Sequence, residues 1–80
     1  MAKAQAADIK PGIWRHFEGN LYEVIGIATH TETQEKMVVY RPARLYYSDH
    51  EFLIRPLSMF TERVDRDGYL GPRFTFVIAI

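Results

Sequence analysis

Short apolar segments separated by polar turns run through most of the chain, and their residues alternate in polarity or are β-branched and aromatic. Such segments occupy residues 13–17, 21–31, 36–40, 51–55, 61–64 and 69–74, followed by an apolar tail at 75–80. This composition is typical of β-strands, and no segment shows the repeat of a long helix. The pattern predicts an all-β domain of about five to six antiparallel strands, folded as a small barrel or roll.

Glycine, proline, asparagine and aspartate mark the turns between these strands. Glu18-Gly19-Asn20 predicts a tight turn, since Gly and Asn tolerate the left-handed backbone of short hairpins. Asp67-Gly68 predicts a type I′ turn, whose two central residues both need positive φ. That turn places Glu62 opposite Arg73, which predicts an ion pair across the hairpin.

The strand at 21–31 leads into a polar loop that precedes the next strand. Gly26 and Ala28 are the smallest residues of this strand, and they leave room for a crossing strand or a ligand. A loop over Glu32–Glu35 sets Thr31 opposite Lys36, and a slip of one residue reverses which residues share the face of His30. The sequence leaves this register open.

Two further segments complete the predicted fold. Pro56–Phe60 suits a single 3₁₀ turn that plugs the barrel with Met59 and Phe60. Residues 1–10 predict a mobile N-terminal tail, and residues 11–80 a single β-barrel domain. An apolar strand at the C-terminus closes the sheet or, through residues 74–80, forms a homodimer.

Composition limits the function classes. A chain of 80 residues has a small core, although its 48% hydrophobic content is enough to predict a folded domain. It contains no cysteine and its formal charge is zero, so thiol chemistry is excluded and nucleic acid is not favoured as a partner. No apolar run approaches the roughly 20 residues of a membrane span. These features predict a cytoplasmic protein that does not bind membranes.

A run of motifs between Gly12 and Phe74 resembles the bacterial family called domain of unknown function 1653. It comprises Arg15-His16-Phe17, Gly19-Asn20, Ala28-x-His30-Thr31-Glu32-Thr33-x-Glu35, Val38-Val39-Tyr40, Arg55-Pro56-x-x-Met59-Phe60 and Pro72-Arg73-Phe74, in the order of the family. The resemblance implies a Src-homology-3-like barrel and no established activity. That barrel is also the usual architecture at this length, and an OB-like barrel is the alternative.

The residues offer little for catalysis. Two imidazoles with a carboxylate can bind a metal, and His30 beside Glu32 or Glu35 can exchange protons near neutral pH. However, the sequence contains no HExxH motif, no credible nucleophile and no glycine-rich phosphate loop. A small metal-dependent or His/Glu-dependent hydrolase is therefore an alternative, and no cofactor is predicted.

The preferred hypothesis is a binding module for a small ligand, peptide, nucleotide or protein partner. It rests on a polar cluster that a small barrel cannot bury without pairing its charges. We expect the loop around His30 to fold toward Arg15 and Arg55, beside tyrosines that offer flat apolar surfaces. The candidate site residues are Arg15, His16, Asn20, Tyr22, His30, Glu32, Glu35, Tyr40 and Arg55.

Overall fold

A computed structural model describes residues 9–43 and 52–80 and confirms the all-β prediction. In these residues seven strands accompany one short helix, rather than the five to six strands predicted. The additional strand lies near the C-terminus, where the chain leaves one sheet and enters another. The elements are β1 (Gly12–His16), β2 (Leu21–Thr29), β3 (Lys36–Pro42), β4 (Leu53–Pro56), α1 (Leu57–Phe60), β5 (Arg63–Arg66), β6 (Tyr69–Pro72) and β7 (Phe74–Ile78).

Two antiparallel sheets make up the domain. One has five strands in the order β4-β3-β2-β1-β7, and the other is the hairpin of β5 and β6. Arg73 joins them, because its amide donates to the carbonyl of Glu62 and its carbonyl accepts from the amide of Phe17, each over 2.9 Å. The Src-homology-3-like barrel remains a prediction.

The hairpin of β5 and β6 forms as predicted from its turn. Asp67 and Gly68 have φ of 52° and 83°, the positive values that a type I′ turn requires. The guanidinium of Arg73 also donates to the carboxylate of Glu62 over 2.8 Å. The predicted cross-strand ion pair is therefore confirmed.

A β-bulge in β2 changes the predicted alternation of its side chains. The pairing with β3 shifts between Val24 and Gly26, which leaves Ile25 41% exposed and turns Ile27 toward the core. A Cβ built at Gly26 has no atom of residues 9–43 and 52–80 within 4 Å, so no strand of this part of the chain crosses here as predicted.

The loop between β2 and β3 is longer than predicted. Ala28 lies opposite Met37 and Thr29 opposite Lys36, which is neither of the two registers considered from the sequence. The amide of His30 donates to the carbonyl of Glu35 over 2.8 Å, and Gln34 takes a positive φ of 65°. The closure of the loop at His30 and Glu35 therefore fixes the register.

Aromatic side chains make up half of the buried core cluster. Phe60 is 1% exposed and stacks on Phe74 with ring centroids 4.1 Å apart and planes 5° from parallel. Trp14 and Tyr40 meet Phe60 edge-on at 5.4 and 5.7 Å. The other buried members of this cluster are Ile9, Val24, Val38 and Leu57.

The predicted plug is only half right. Helix α1 is one α-helical turn, since the amide of Thr61 donates to the carbonyl of Leu57 four residues earlier, over 3.1 Å. Residues three apart share one face of such a turn, so Leu57 and Phe60 are buried while Met59 is 44% exposed. Met59 is therefore not part of the core.

The folded part of the chain includes two residues assigned from the sequence to the tail. Ile9 is 7% exposed within the core, and the carbonyl of Lys10 accepts a hydrogen bond of 2.9 Å from the indole of Trp14. The rest of the predicted tail, residues 1–8, lies outside the described residues. Within the part of the chain that the structure describes, no helix is long and apolar enough to cross a lipid bilayer.

Candidate functional site

Four of the predicted site residues meet on the aromatic side of the five-stranded sheet. The rings of Tyr22 and Tyr40 lie 5.5 Å apart, and each lies 5.8 Å from Phe74. The imidazole of His16 lies 5.0 Å from Phe74, and the guanidinium carbon of Arg55 lies 5.7 Å above the same ring. We call these five residues the Arg55 site: His16, Tyr22, Tyr40, Arg55 and Phe74.

Strand pairing brings these residues together. Residues opposite each other in neighbouring strands share a face, and His16 lies opposite Phe74 while Arg55 lies opposite the buried Val38. Arg55 therefore emerges on the core side of edge strand β4, and its side chain reaches back to Tyr40.

The guanidinium of Arg55 is held in place on two sides. Its Nε donates to the hydroxyl of Tyr40 over 3.2 Å, and its central carbon lies over the ring of Phe74, 5.7 Å from the ring centre, within the range of a cation–π contact. That is the one hydrogen bond of this side chain within residues 9–43 and 52–80. Its terminal nitrogens have no hydrogen-bond partner among those residues.

His16 is a neutral hydrogen-bonding group. Burial lowers the pKa of its imidazole, Glu18 partly opposes this shift, and the cations of Arg55, Arg73 and Arg66 add to it. Its Nδ1 accepts the amide of Glu18 over 3.1 Å, so in the neutral ring Nε2 carries the proton. The 3.7 Å approach of the Glu18 carboxylate to Nδ1 is therefore not an ion pair.

Two arginines that sequence analysis did not assign to a site also surround His16. Arg66 lies 3.8 Å from the carboxylate of Glu18, and its guanidinium carbon lies 5.1 Å above Phe17. Arg73 pairs with Glu62, and its Nε is buried without a hydrogen-bond partner among the described residues. The Asp67-Gly68 turn predicted the position of Arg73, whereas its proximity to His16 depends on the junction between the two sheets.

The loop around His30 does not join the Arg55 site. The Nδ1 of His30 accepts the amides of Glu32 and Thr33 over 3.2 and 3.4 Å, so the imidazole is hydrogen-bonded to the backbone of its own loop. The loop follows the far end of β2, roughly 25 Å along that strand from the end beside His16. His30, Glu32 and Glu35 are all exposed there.

Arg15 and Asn20 also lie apart from the cluster. Arg15 is exposed opposite Leu21 and Thr75, on the face of β1 that points away from His16. Asn20 is exposed and contributes its backbone carbonyl, which accepts the amide of His16 over 2.9 Å. The structure thus separates the predicted set into the Arg55 site, an exposed loop and two peripheral residues.

Similarity to known proteins agrees with the family resemblance noted from the sequence. The sequence model of the family described as "Protein of unknown function (DUF1653)" matches residues 12–76. The chain belongs to the DUF1653 family. A crystal structure of a DUF1653 protein from Bordetella bronchiseptica has 32% sequence identity and a TM-score of 0.80, with coverage of 95% of this chain and 96% of that one. Comparison with curated proteins gives no match.

The alternative sites remain predictions for this DUF1653 protein. Among residues 9–43 and 52–80, no group of three His, Asp or Glu side chains is placed to hold a metal ion. The proposed dimer strand, residues 74–80, pairs through β7 with β1 and leaves Val77, Ile78 and Ile80 exposed at 44%, 59% and 80%.

Proposed function

We propose that this DUF1653 protein is a binding module that recognises an anionic ligand at the Arg55 site. The observation that carries the proposal is the anchored guanidinium of Arg55, fixed by the hydroxyl of Tyr40 and the ring of Phe74. A cation held in one orientation loses little freedom on binding, so its hydrogen bonds contribute more to affinity.

The surrounding charges favour the same class of ligand. Arg66 and Arg73 have carboxylate partners, whereas Arg55 has none among the described residues. All three cations lie close enough to His16 to lower its pKa, while the carboxylate of Glu18 raises it. An anion bound beside Arg55 gains most from this cation, because the charges of Arg66 and Arg73 are already paired.

Partly exposed aromatic rings border this region. Tyr22 and Phe17 are half-buried, and Phe17 also stacks on Tyr69 with ring centroids 5.3 Å apart. Flat apolar surfaces beside a cation suit a ligand whose anionic group is attached to an aromatic or aliphatic group.

Titration with simple aromatic ions, followed by two-dimensional NMR, tests the proposal. Benzoate, benzenesulfonate and phenyl phosphate carry an anion on a ring, and benzamide is a neutral counterpart of benzoate. We expect at least one anion to shift the Arg55 Nε–H signal and the Tyr22 and Tyr40 ring signals in a saturable manner, and benzamide to leave them unchanged.

Two variants localise the response. Arg55→Gln removes the anchored cation and abolishes the response, whereas Arg15→Gln removes an exposed cation of the opposite face and preserves it. If all three anions shift the signals of Arg15 as much as those of Arg55, the protein has only weak, unspecific ion association and the proposal fails.

A second candidate function is assembly through β7, which lies at one edge of the five-stranded sheet. Its exposed Ile78 belongs to an edge with unpaired backbone groups, the arrangement through which two copies of a strand join. Ile78→Lys would convert a dimer to a monomer in sedimentation equilibrium, with Thr75→Lys as the control on the same strand. Monomers for the unchanged chain would exclude this function.

A further inference from the structure

We infer that the anion bound at the Arg55 site is a single carboxylate, held end-on by the two terminal nitrogens of Arg55. The inference rests on the proposed function and names the ligand chemistry of the same site. It is carried by two observations, the orientation of one guanidinium and the balance of charges around it.

The orientation leaves one edge of Arg55 for a ligand. The Nε–H is taken by the hydroxyl of Tyr40, and the guanidinium carbon lies over the ring of Phe74 at 5.7 Å. The edge between the two terminal nitrogens presents two parallel N–H groups in the plane of the guanidinium. A carboxylate places its two oxygens in that same plane at a matching separation, so the two groups can form a pair of parallel charge-assisted hydrogen bonds.

The charge balance sets the charge of the ligand. Three arginine cations lie around His16, and two of them are paired with the carboxylates of Glu18 and Glu62. Among the residues that the structure describes, one positive charge is therefore in surplus, and one carboxylate neutralises it. A phosphate monoester carries about −1.5 to −2 at pH 7 and would leave excess negative charge in a half-buried site.

His16 contributes a donor to the site without contributing a charge. Its Nδ1 is occupied by the amide of Glu18, so its Nε2–H donates. Burial lowers the pKa of the imidazole, the carboxylate of Glu18 partly offsets this shift, and the cations of Arg55, Arg73 and Arg66 add to it. Because the ring is uncharged near neutral pH, it adds nothing to the single surplus positive charge, and the site still favours a ligand with one negative charge.

Carboxylates of this class come from two sources, small aromatic or aliphatic acids and the C-terminus of a peptide. Both place an apolar group next to the carboxylate, where Tyr22 and Phe17 provide the partly exposed rings. The experiment therefore includes a probe for each source.

The test compares the dissociation constants of benzoate, benzenesulfonate and phenyl phosphate at pH 7.5 by NMR titration of the unchanged chain. We expect benzoate to bind about tenfold more tightly than either of the other anions, because only benzoate combines planarity with one charge. Equal or tighter binding of benzenesulfonate or phenyl phosphate at Arg55 would overturn the carboxylate assignment and leave anion binding intact. Failure of all three anions would instead remove the proposed function.

A charge-conserving variant tests the end-on geometry. Arg55→Lys keeps the cation and loses the planar pair of donors, so benzoate affinity falls about tenfold while that of benzenesulfonate changes less. Arg15→Lys is the matched control and leaves both affinities unchanged. If Arg55→Lys weakens benzoate and benzenesulfonate by the same factor, the bidentate contact is refuted. Unchanged thermal unfolding of each variant shows that the fold is retained.

The two sources are separated with N-acetyl-Gly-Phe and its C-terminal amide. Binding of the acid but not of the amide supports recognition of the carboxylate, and equal binding of both contradicts it. Tighter binding of N-acetyl-Gly-Phe than of benzoate supports a peptide C-terminus as the natural source, and the reverse order supports a small acid.

Discussion

Gly12→Ala is expected to destabilise the domain, because the backbone at the end of β7 lies directly against this residue. A Cβ at position 12 would lie 2.4 Å from the carbonyl oxygen of Ile78 and 2.9 Å from the Cα of Ala79. Gly12 also has φ of 145°, a conformation that residues with a side chain rarely adopt. The substitution therefore forces both a backbone shift at the β1–β7 pair and a strained φ.

The structure allows the loss to be estimated. A sparsely populated backbone conformation costs about 1–3 kcal/mol, and a hydrogen bond lost as Ile78 moves away costs about 1 kcal/mol. Alanine restricts the unfolded chain, which returns about 0.4–1 kcal/mol. The net loss is about 2 kcal/mol, which lowers the melting temperature of a domain this size by roughly 10 °C.

Urea denaturation and thermal melting, both followed by circular dichroism, measure this loss. Gly26→Ala is the matched control, since a Cβ there meets nothing within 4 Å and its φ is not positive. We expect the control to stabilise the domain slightly, by about 0.4–1 kcal/mol. A Gly12→Ala protein as stable as the unchanged chain would refute the close packing of the end of β7 against Gly12.

Three further predictions concern the core and the Arg55 site. Phe60→Ala removes the ring at the centre of the core, and we expect a loss of about 3–5 kcal/mol in urea denaturation; a loss below about 1 kcal/mol would contradict its central position. Tyr40→Phe removes the hydroxyl that fixes Arg55, and we expect benzoate affinity to fall about fivefold in NMR titration; unchanged affinity would contradict the anchoring role. Burial lowers the pKa of His16 in the folded protein below its ordinary value of 6.5, so stability should fall as pH drops from 6.5 toward the folded pKa and then level off. Urea denaturation across this window should show the fall in the unchanged chain and in His30→Gln, and its persistence in His16→Gln would contradict the assignment.

Local sequence signals predicted the local parts of the fold well. The Asp67-Gly68 turn fixed the hairpin and the Glu62–Arg73 pair, because a two-residue turn with positive φ allows one register. The alternating segments likewise predicted the strands before and after Glu18–Asn20. These features depend on residues close in the sequence, so a single sequence contains the information.

Features that depend on distant strands were not predicted. The residue types around Ile25 do not indicate the bulge there, which moves Ile27 to the core face of the sheet. The loop from His30 to Glu35 closes through backbone hydrogen bonds, which the sequence pattern does not reveal. Strand register therefore required the structure.

The candidate site was predicted in part for the same reason. His16, Tyr22, Tyr40 and Arg55 were selected as polar and aromatic groups of a small barrel, and the sheet does bring them together. The His30 loop was grouped with them on chemistry alone, although it lies at the other end of β2. Phe74, the ring that Arg55 covers, was missed as a site residue because an apolar residue in a strand indicates core.

The most direct measurement of the anion-binding account is a crystal structure of the full chain grown or soaked with benzoate. We expect the benzoate carboxylate within about 2.7–2.9 Å of both terminal nitrogens of Arg55, with its ring beside Tyr22. Arg55 already engaged by a carboxylate of the protein itself, or benzoate bound only at other surfaces, would contradict the account.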